Sequence, residues 1–303
     1  MKRWKIVTLA CVVVACLSLA LTGCQTQQYT PADKNPVVGS SALVKDGVLR
    51  VGVNAASAPL AGQTSSSSRI VGIDVDAAAY LADQLGLNLE IVDVGTDPAS
   101  ALKDKKVDIV MGVDLSDESA GFWRSKSYLD TGVVLFAPSS ENSIPTIDSK
   151  PKIAAQASSK SSWRVTHLFG NDSLVSANDL KAAFETLKNQ TARYVAADAV
   201  IGTYVSFSND YDDKIVALLQ DPSGYCVGAA ETNTELQNAI SESLNKLVNG
   251  GMMDVIEAKW LGKPLNLDNV TVIKGAGGDS STSSGSESAS TSAQGVSGAA
   301  AEA

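Results

Sequence analysis

Histidine occurs once and cysteine four times in these 303 residues. Cys11, Cys16 and Cys24 all fall in the first two dozen positions, so only Cys226 is left in the body of the chain. A single cysteine cannot close an intramolecular disulfide. The lone His167 lies in 163–169 at helical spacing and reads as a packed or half-exposed residue. A zinc site draws on several His or Cys ligands, so no metal or cofactor is expected. Aromatic residues make up 5% of the chain, too few for a sugar-binding cleft walled by ring faces. Positive charge is also short: 24 Lys and Arg against 33 Asp and Glu leave a net charge of −9. Phosphate contacts need clustered cations, so no nucleic-acid partner is expected. Long apolar runs are missing except one near the N-terminus, roughly 16 residues against the ~20 that a spanning helix prefers.

That run begins after Lys2, Arg3 and Lys5 and ends in Leu21-Thr22-Gly23-Cys24. A basic start, an apolar stretch and a small residue before cysteine resemble a bacterial lipoprotein signal. The resemblance implies that residues 1–23 are removed and that Cys24 carries the lipid. Loss of three positive charges would take the net charge from −9 to −12. The rest of the chain is then expected on the extracytoplasmic face of the cell membrane, held there through its N-terminal lipid. Residues 24–42 are polar, with Pro31, Pro36 and Gly39, and read as a flexible spacer. Residues 274–303 are almost entirely Ser, Gly, Ala and Thr, and read as a disordered tail that has too little apolar surface to offset its ordering entropy.

Between these ends, hydrophobic patterning alternates strand and helix. Residues 48–53, 89–94 and 107–111 read as buried strands. A helix starts at Asp74, with Val75, Ala78, Ala79, Ala82 and Leu85 on one face, and Gly86 stops it. Asp97-Pro98 is a helix start with a cap and a first-turn proline. A second block repeats the rhythm: strand 153–155, helix 158–168, strand 174–175, helix 179–190, strand 194–197, and a helix opening at Asp198. Asp179 and Asp198 suit helix caps. Extended segments at 133–137 and 225–230 flank this block, and helices at 234–249 and 252–260 close the chain. The pattern predicts an α/β protein of two lobes. Lobe one takes 43–137 plus 228–273 and lobe two takes 138–227, joined by two hinge crossings around a crevice that is the default ligand site.

The ordered segments 47–53, 72–76, 81–94, 107–110, 125–133, 196–199 and 240–262 resemble the family 3 extracellular solute-binding proteins across about residues 45–265. The resemblance implies a type II periplasmic-binding-protein-like fold. It implies capture of an amino acid or related small polar solute and delivery to an ABC permease in the membrane. In that family an Arg clamps the ligand carboxylate, an Asp heading a lobe-two helix takes the ammonium, and an aromatic covers the side chain. Asp198 matches the ammonium-binding Asp. The Arg position is Ser119, the aromatic position Ser57 and a nearby acidic position Asn54. A Ser/Thr position is Asp114, and a small hydroxyl position in lobe two is Lys160. The candidate ligand-binding set is therefore Asn54, Ser57, Asp114, Ser119, Lys160 and Asp198. Asp114 and Asp198 in one cleft would repel a carboxylate, at on the order of 4 kcal/mol for like charges near 4 Å. Lys160, or Arg124 beside Trp123 if it turns inward, could offset part of that charge. The charge pattern predicts a cationic or amine-bearing solute. Two other readings stay open: an accessory or sensor lipoprotein that has lost amino-acid binding, and a dehydratase-like enzyme using Asp114, Asp198 and Lys160 as acids and base.

Overall fold

The computed structural model describes residues 34–64, 67–117 and 120–274. Cys24, Ser119 and the tail from 275 onward lie outside them. The strands in chain order are β1 (Val48–Val53), β2 (Ala56–Ser57), β3 (Ala61–Gln63), β4 (Ile70–Val71), β5 (Asn88–Asp93), β6 (Ile109–Asp114), β7 (Trp123–Arg124), β8 (Leu129–Thr131), β9 (Val133–Pro138), β10 (Ile153–Gln156), β11 (Leu174–Ala177), β12 (Tyr194–Asp198), β13 (Asp213–Leu218) and β14 (Ser223–Ala229). The helices are α1 (Ile73–Gln84), α2 (Pro98–Lys103), α3 (Lys160–Phe169), α4 (Leu180–Lys188), α5 (Ala199–Ser208), α6 (Thr234–Asn249) and α7 (Met252–Leu261).

Two main sheets form, one per lobe. The first runs β5-β1-β6-β14-β7, with β8 also paired to β14. Its β5, β1 and β6 are parallel, as strands joined through helices must be, and β14 returns antiparallel. Leu49, Val51 and Val53 of β1 are fully buried, and α1, α6 and α7 pack with them in one core. The second sheet runs β11-β10-β12-β9-β13, with β10, β11 and β12 parallel. Its two faces carry separate apolar clusters, one around Leu135 and Val165, the other around Phe136 and Phe184.

Local chemistry sets the element ends. Gly72 precedes α1 with φ 154°, and a Cβ there would sit 2.1 Å from the Leu60 carbonyl oxygen. Asp97 accepts from Ser100 N–H and Asp179 from Ala182 N–H, as their sequence positions imply. Asn233 caps α6 in the same way, accepting from Leu236 N–H. Ile70-Val71, legible as a short strand, is β4, whereas β2, β3 and the edge strand β13 have no alternating run long enough to announce them.

The crossings differ from the expected boundaries. Gly132 separates β8 in the first sheet from β9 in the second, so the chain changes lobes there rather than near 137. It returns through 219–222, between β13 and β14, rather than near 228. Residues 133–137 are apolar and buried, but the switch falls just before them, at Gly132. A third connection was not anticipated. After α7 the chain runs back to lobe two, where Leu218 N–H donates to Thr271 O and Ile273 N–H to Leu218 O, both at 2.8 Å. Leu267 and Ile273 are buried among lobe-two residues. The segment 265–273, assigned from sequence to lobe one, therefore packs on lobe two. The end of the expected spacer is also seated on the fold. Val38 and Ala42 are buried in the first core, and Val37 N–H donates to Leu85 O.

Candidate functional site

The carboxyl ends of β6 and β12 bring the two lobes' acids together. Asp114 is the last residue of β6 and lies in register with Tyr225 of the returning strand β14. One of its oxygens accepts Ser116 N–H at 2.8 Å and the Ser223 hydroxyl at 3.0 Å. The other faces Lys160 Nζ at 3.3 Å. Burial alone would raise this carboxyl. The Ser116 bonds, the Lys160 charge and the Ser223 hydroxyl outweigh it and hold the pKa below the usual value.

Asp198 ends β12 and caps α5. Its Oδ1 accepts Val200 and Ile201 N–H, each at 3.0 Å. Its Oδ2 accepts the Thr131 hydroxyl at 2.6 Å and, more loosely, the Tyr225 hydroxyl at 3.4 Å. Burial raises the Asp198 pKa, against the lowering effect of the Thr131, Ile201 and Val200 donors, and the charge of Asp114 adds to the rise. The same acids act on Tyr225: burial, then the fields of Asp198, Asp114 and Asp74, push its phenol upward.

Lys160 begins α3. A capping box precedes it, in which Ser159 Oγ accepts Ser162 N–H and Ser162 Oγ accepts Ser159 N–H. The preceding Ser158 takes a left-handed turn with φ 57°. This aims Lys160 across the crevice, where its ammonium meets Asp114 and the Ser116 hydroxyl at 3.1 Å. The pair joins lobe two to lobe one.

Residues 49–263 match the family model for bacterial extracellular solute-binding proteins, family 3. The chain belongs to that family. Solved structures give the same fold. An ancestral cationic amino acid solute-binding protein aligns with TM-score 0.62 at 22% identity, over 72% of this chain and 97% of that one. The L-cystine solute receptor of Neisseria gonorrhoeae, in its unliganded open conformation, aligns with TM-score 0.64 at 21% identity, over 73% and 95%. A polar amino acid ABC uptake transporter substrate-binding protein from Streptococcus thermophilus aligns with TM-score 0.65 at 19% identity, over 75% and 91%. Among curated proteins no match was found. This solute-binding protein therefore has the two-lobed, type II architecture, and no helix among its described residues is long and apolar enough to cross a membrane.

The six candidate residues of this family member are not all brought together. Asp114, Lys160 and Asp198 share the crevice. Asn54 lies just past β1, where its side chain accepts Ala56 N–H in its own turn. Ser57 sits in β2 against Ala61. Among the described residues, neither is hydrogen-bonded to the Asp114–Lys160–Asp198 group, and Ser119 lies outside them. Arg124 does not turn into the crevice as a free cation. Its Nη1 holds the carbonyls of Leu115 at 3.2 Å and Asp117 at 2.5 Å, bracing the turn that follows Asp114. His167 is exposed and stacks on Trp163, ring centroids 5.1 Å apart.

Sequence reasoning missed Thr131, Ser223 and Tyr225. Thr131 stood inside a quoted match, yet nothing local ties it to Asp198, 67 positions away. Tyr225 is half of an antiparallel pair with Asp114, which only the fold reveals. Cys226, next to it, is buried, and burial lifts its thiol to about 11, so it is not a thiolate nucleophile at neutral pH.

Proposed function

We propose that this protein is a lipid-anchored receptor of an amino-acid ABC importer, held outside the cell membrane through Cys24. It captures a small ammonium-bearing solute between its lobes and presents it to the permease. The observation that carries the choice of solute is the pairing of Asp114 and Asp198 around Tyr225, with Lys160 the one cation bonded to either acid among the described residues. A closed crevice with two carboxylates and one ammonium has net negative charge. An ammonium ligand supplies the missing counter-charge, while a second carboxylate would be buried without a partner. Membership in a family of solute-binding receptors supports binding rather than catalysis.

The Asp114–Lys160 pair also favours a second reading. A crevice whose charges already satisfy one another fits an accessory or sensor lipoprotein. Calorimetry separates the two, using L-lysine, L-arginine, L-glutamine, L-glutamate, putrescine and short peptides as probes. Under the first reading a solute with at least one uncompensated ammonium binds most tightly. Asp198→Asn then weakens it about a hundredfold, near 2.7 kcal/mol. Tight L-glutamate binding that Asp114→Ala leaves unchanged would overturn the charge argument, and silence across the panel would favour the accessory role. Palmitate labelling that persists in Cys24→Ala would overturn the lipid anchor.

A further inference from the structure

A cavity of about 480 Å³ is lined by the segment that leaves α7 for lobe two. Its walls come from the second half of α5, the start of β13 and residues 261–270, so both lobes contribute. Along α5, Ser206 is eight residues beyond Asp198, about 12 Å at 1.5 Å per residue. The cavity is thus separate from the Asp198 crevice, although it shares a helix with it. Its volume falls within the ~300–1,000 Å³ typical of small-molecule sites.

Two polar groups on its lining are under-satisfied. Thr203 is 7% exposed, and its buried hydroxyl has no hydrogen-bond partner among the described residues. Asp213 is half-buried, and among the described residues its two oxygens receive one side-chain donor, the Ser206 hydroxyl, at 3.0 and 2.9 Å. A carboxylate has about four acceptor positions, and one hydroxyl proton serves one at a time. Burial pushes this carboxyl up to about 6, against the lowering influence of Ser206 and Lys263, and Asp212 reinforces the rise. Lys263 makes no ion pair with it, and the neighbouring Lys214 ammonium is turned away onto Asn142 Oδ1 at 2.9 Å. Asn266 and Tyr211 also line it, and its apolar wall includes Leu265 and the half-exposed Phe207 ring, which lies against Gly262.

We propose that this cavity is a second ligand site, for a small organic amine whose ammonium meets Asp213 and whose apolar body lies on Phe207 and Leu265. A bound ammonium supplies the donors that the carboxylate lacks and offsets the cost of its partial burial.

The test uses 2-phenylethylamine and n-hexylamine as probes in calorimetric titrations at neutral pH. Asp198→Asn weakens the proposed crevice site about a hundredfold, so probe binding that keeps its affinity in this variant reports the second site. One saturable event is expected in Asp198→Asn, and the same event in wild type beside any binding in the crevice. Affinity should fall about tenfold in Asp213→Asn, the loss of one charge-assisted contact. Asp213→Asn keeps an acceptor for Ser206, and thermal unfolding of that variant checks its fold. Phe207→Ala removes an exposed ring and should weaken the probes while leaving the fold intact. Absence of saturable binding by either probe would overturn the proposal. So would binding that vanishes in Asp198→Asn, or binding undiminished in both Asp213→Asn and Phe207→Ala.

Discussion

Asp74 is fully buried at the head of α1, and its carboxylate accepts the Tyr128 hydroxyl, which in turn accepts Gly112 N–H. Burial raises its pKa to about 7, only partly opposed by the Tyr128 bond. Glu257 of α7 is raised to about 7 for the same reason, despite accepting Leu265 N–H. These acids bind protons more tightly folded than unfolded. Between roughly pH 4 and pH 7 the native state holds the extra protons, so stability falls as pH rises through that window. The Asp74 shift alone is worth on the order of 4 kcal/mol. Thermal unfolding should therefore show a higher Tm at pH 5 than at pH 7.5, and Asp74→Asn should flatten that difference. A Tm that climbs steadily from pH 5 to pH 7.5 would contradict it. Lys160 offers a second check at this scale. Its ion pair is half exposed, so its strength is discounted for solvent screening. Lys160→Met leaves Asp114 unopposed and should tighten binding of a diamine such as putrescine about fivefold, near 1 kcal/mol. Calorimetry reads that change directly. Asp114 and Lys160 were visible as charged departures from the family pattern, because charge is carried by residue type, and the structure pairs them with each other. The partners Thr131, Ser223 and Tyr225 were not, because a hydrogen bond across 27 or more positions leaves no local trace.

Among elements, the legible ones are those whose ends are chemical. Asp97 with Pro98, Asp179 and Asp198 announced three helices, and the structure starts helices next to each. Gly72 is equally local in its effect. Gly72→Ala would drive a methyl into the Leu60 carbonyl in a backbone region that L-residues avoid, and should cost about 3 kcal/mol or more. The segment 265–273 is the opposite case. It has no regular secondary structure, yet Leu267 packs on one face of the lobe-two sheet and Ile273 on the other. Leu267→Ala or Ile273→Ala should each lower stability by roughly 2–4 kcal/mol in urea titrations. If both variants unfold like the wild type, this segment is not part of the lobe-two core. The short strands β2, β3, β7 and β8 hold two or three residues each, below the length at which a period of two can be counted.

At the scale of the molecule, three segments join the lobes, at Gly132, at 219–222 and after α7. A Cβ at Gly132 would press on Leu218 at 3.1 Å, so the first crossing lies tightly against the strand that leads into the second. Closure of the lobes, as proposed, would have to bend the chain at these segments. Under the proposed function, a solute that bridges Asp198 of lobe two and Asp114 of lobe one would bind the closed form better than the open one, and its differential affinity would set the shift. A solute held at a hundredfold excess over Kd should stabilise the protein by about 2.7 kcal/mol. Small-angle scattering should show a smaller radius of gyration in the same sample. Stabilisation without compaction would mean that the solute binds without drawing the lobes together.

The amino-acid order alone determined the two α/β lobes, their helix caps and the acidic character of the crevice. Those features follow from short-range periodicity, from capping chemistry and from which residues carry charge. The tertiary structure alone decided where the chain changes sheets, that 265–273 returns to lobe two, and that Thr131, Ser223 and Tyr225 surround the two acids. Each of these depends on contacts between residues far apart in sequence. Such contacts arise only when strands from different parts of the chain pair and two cores compete for the same apolar segment.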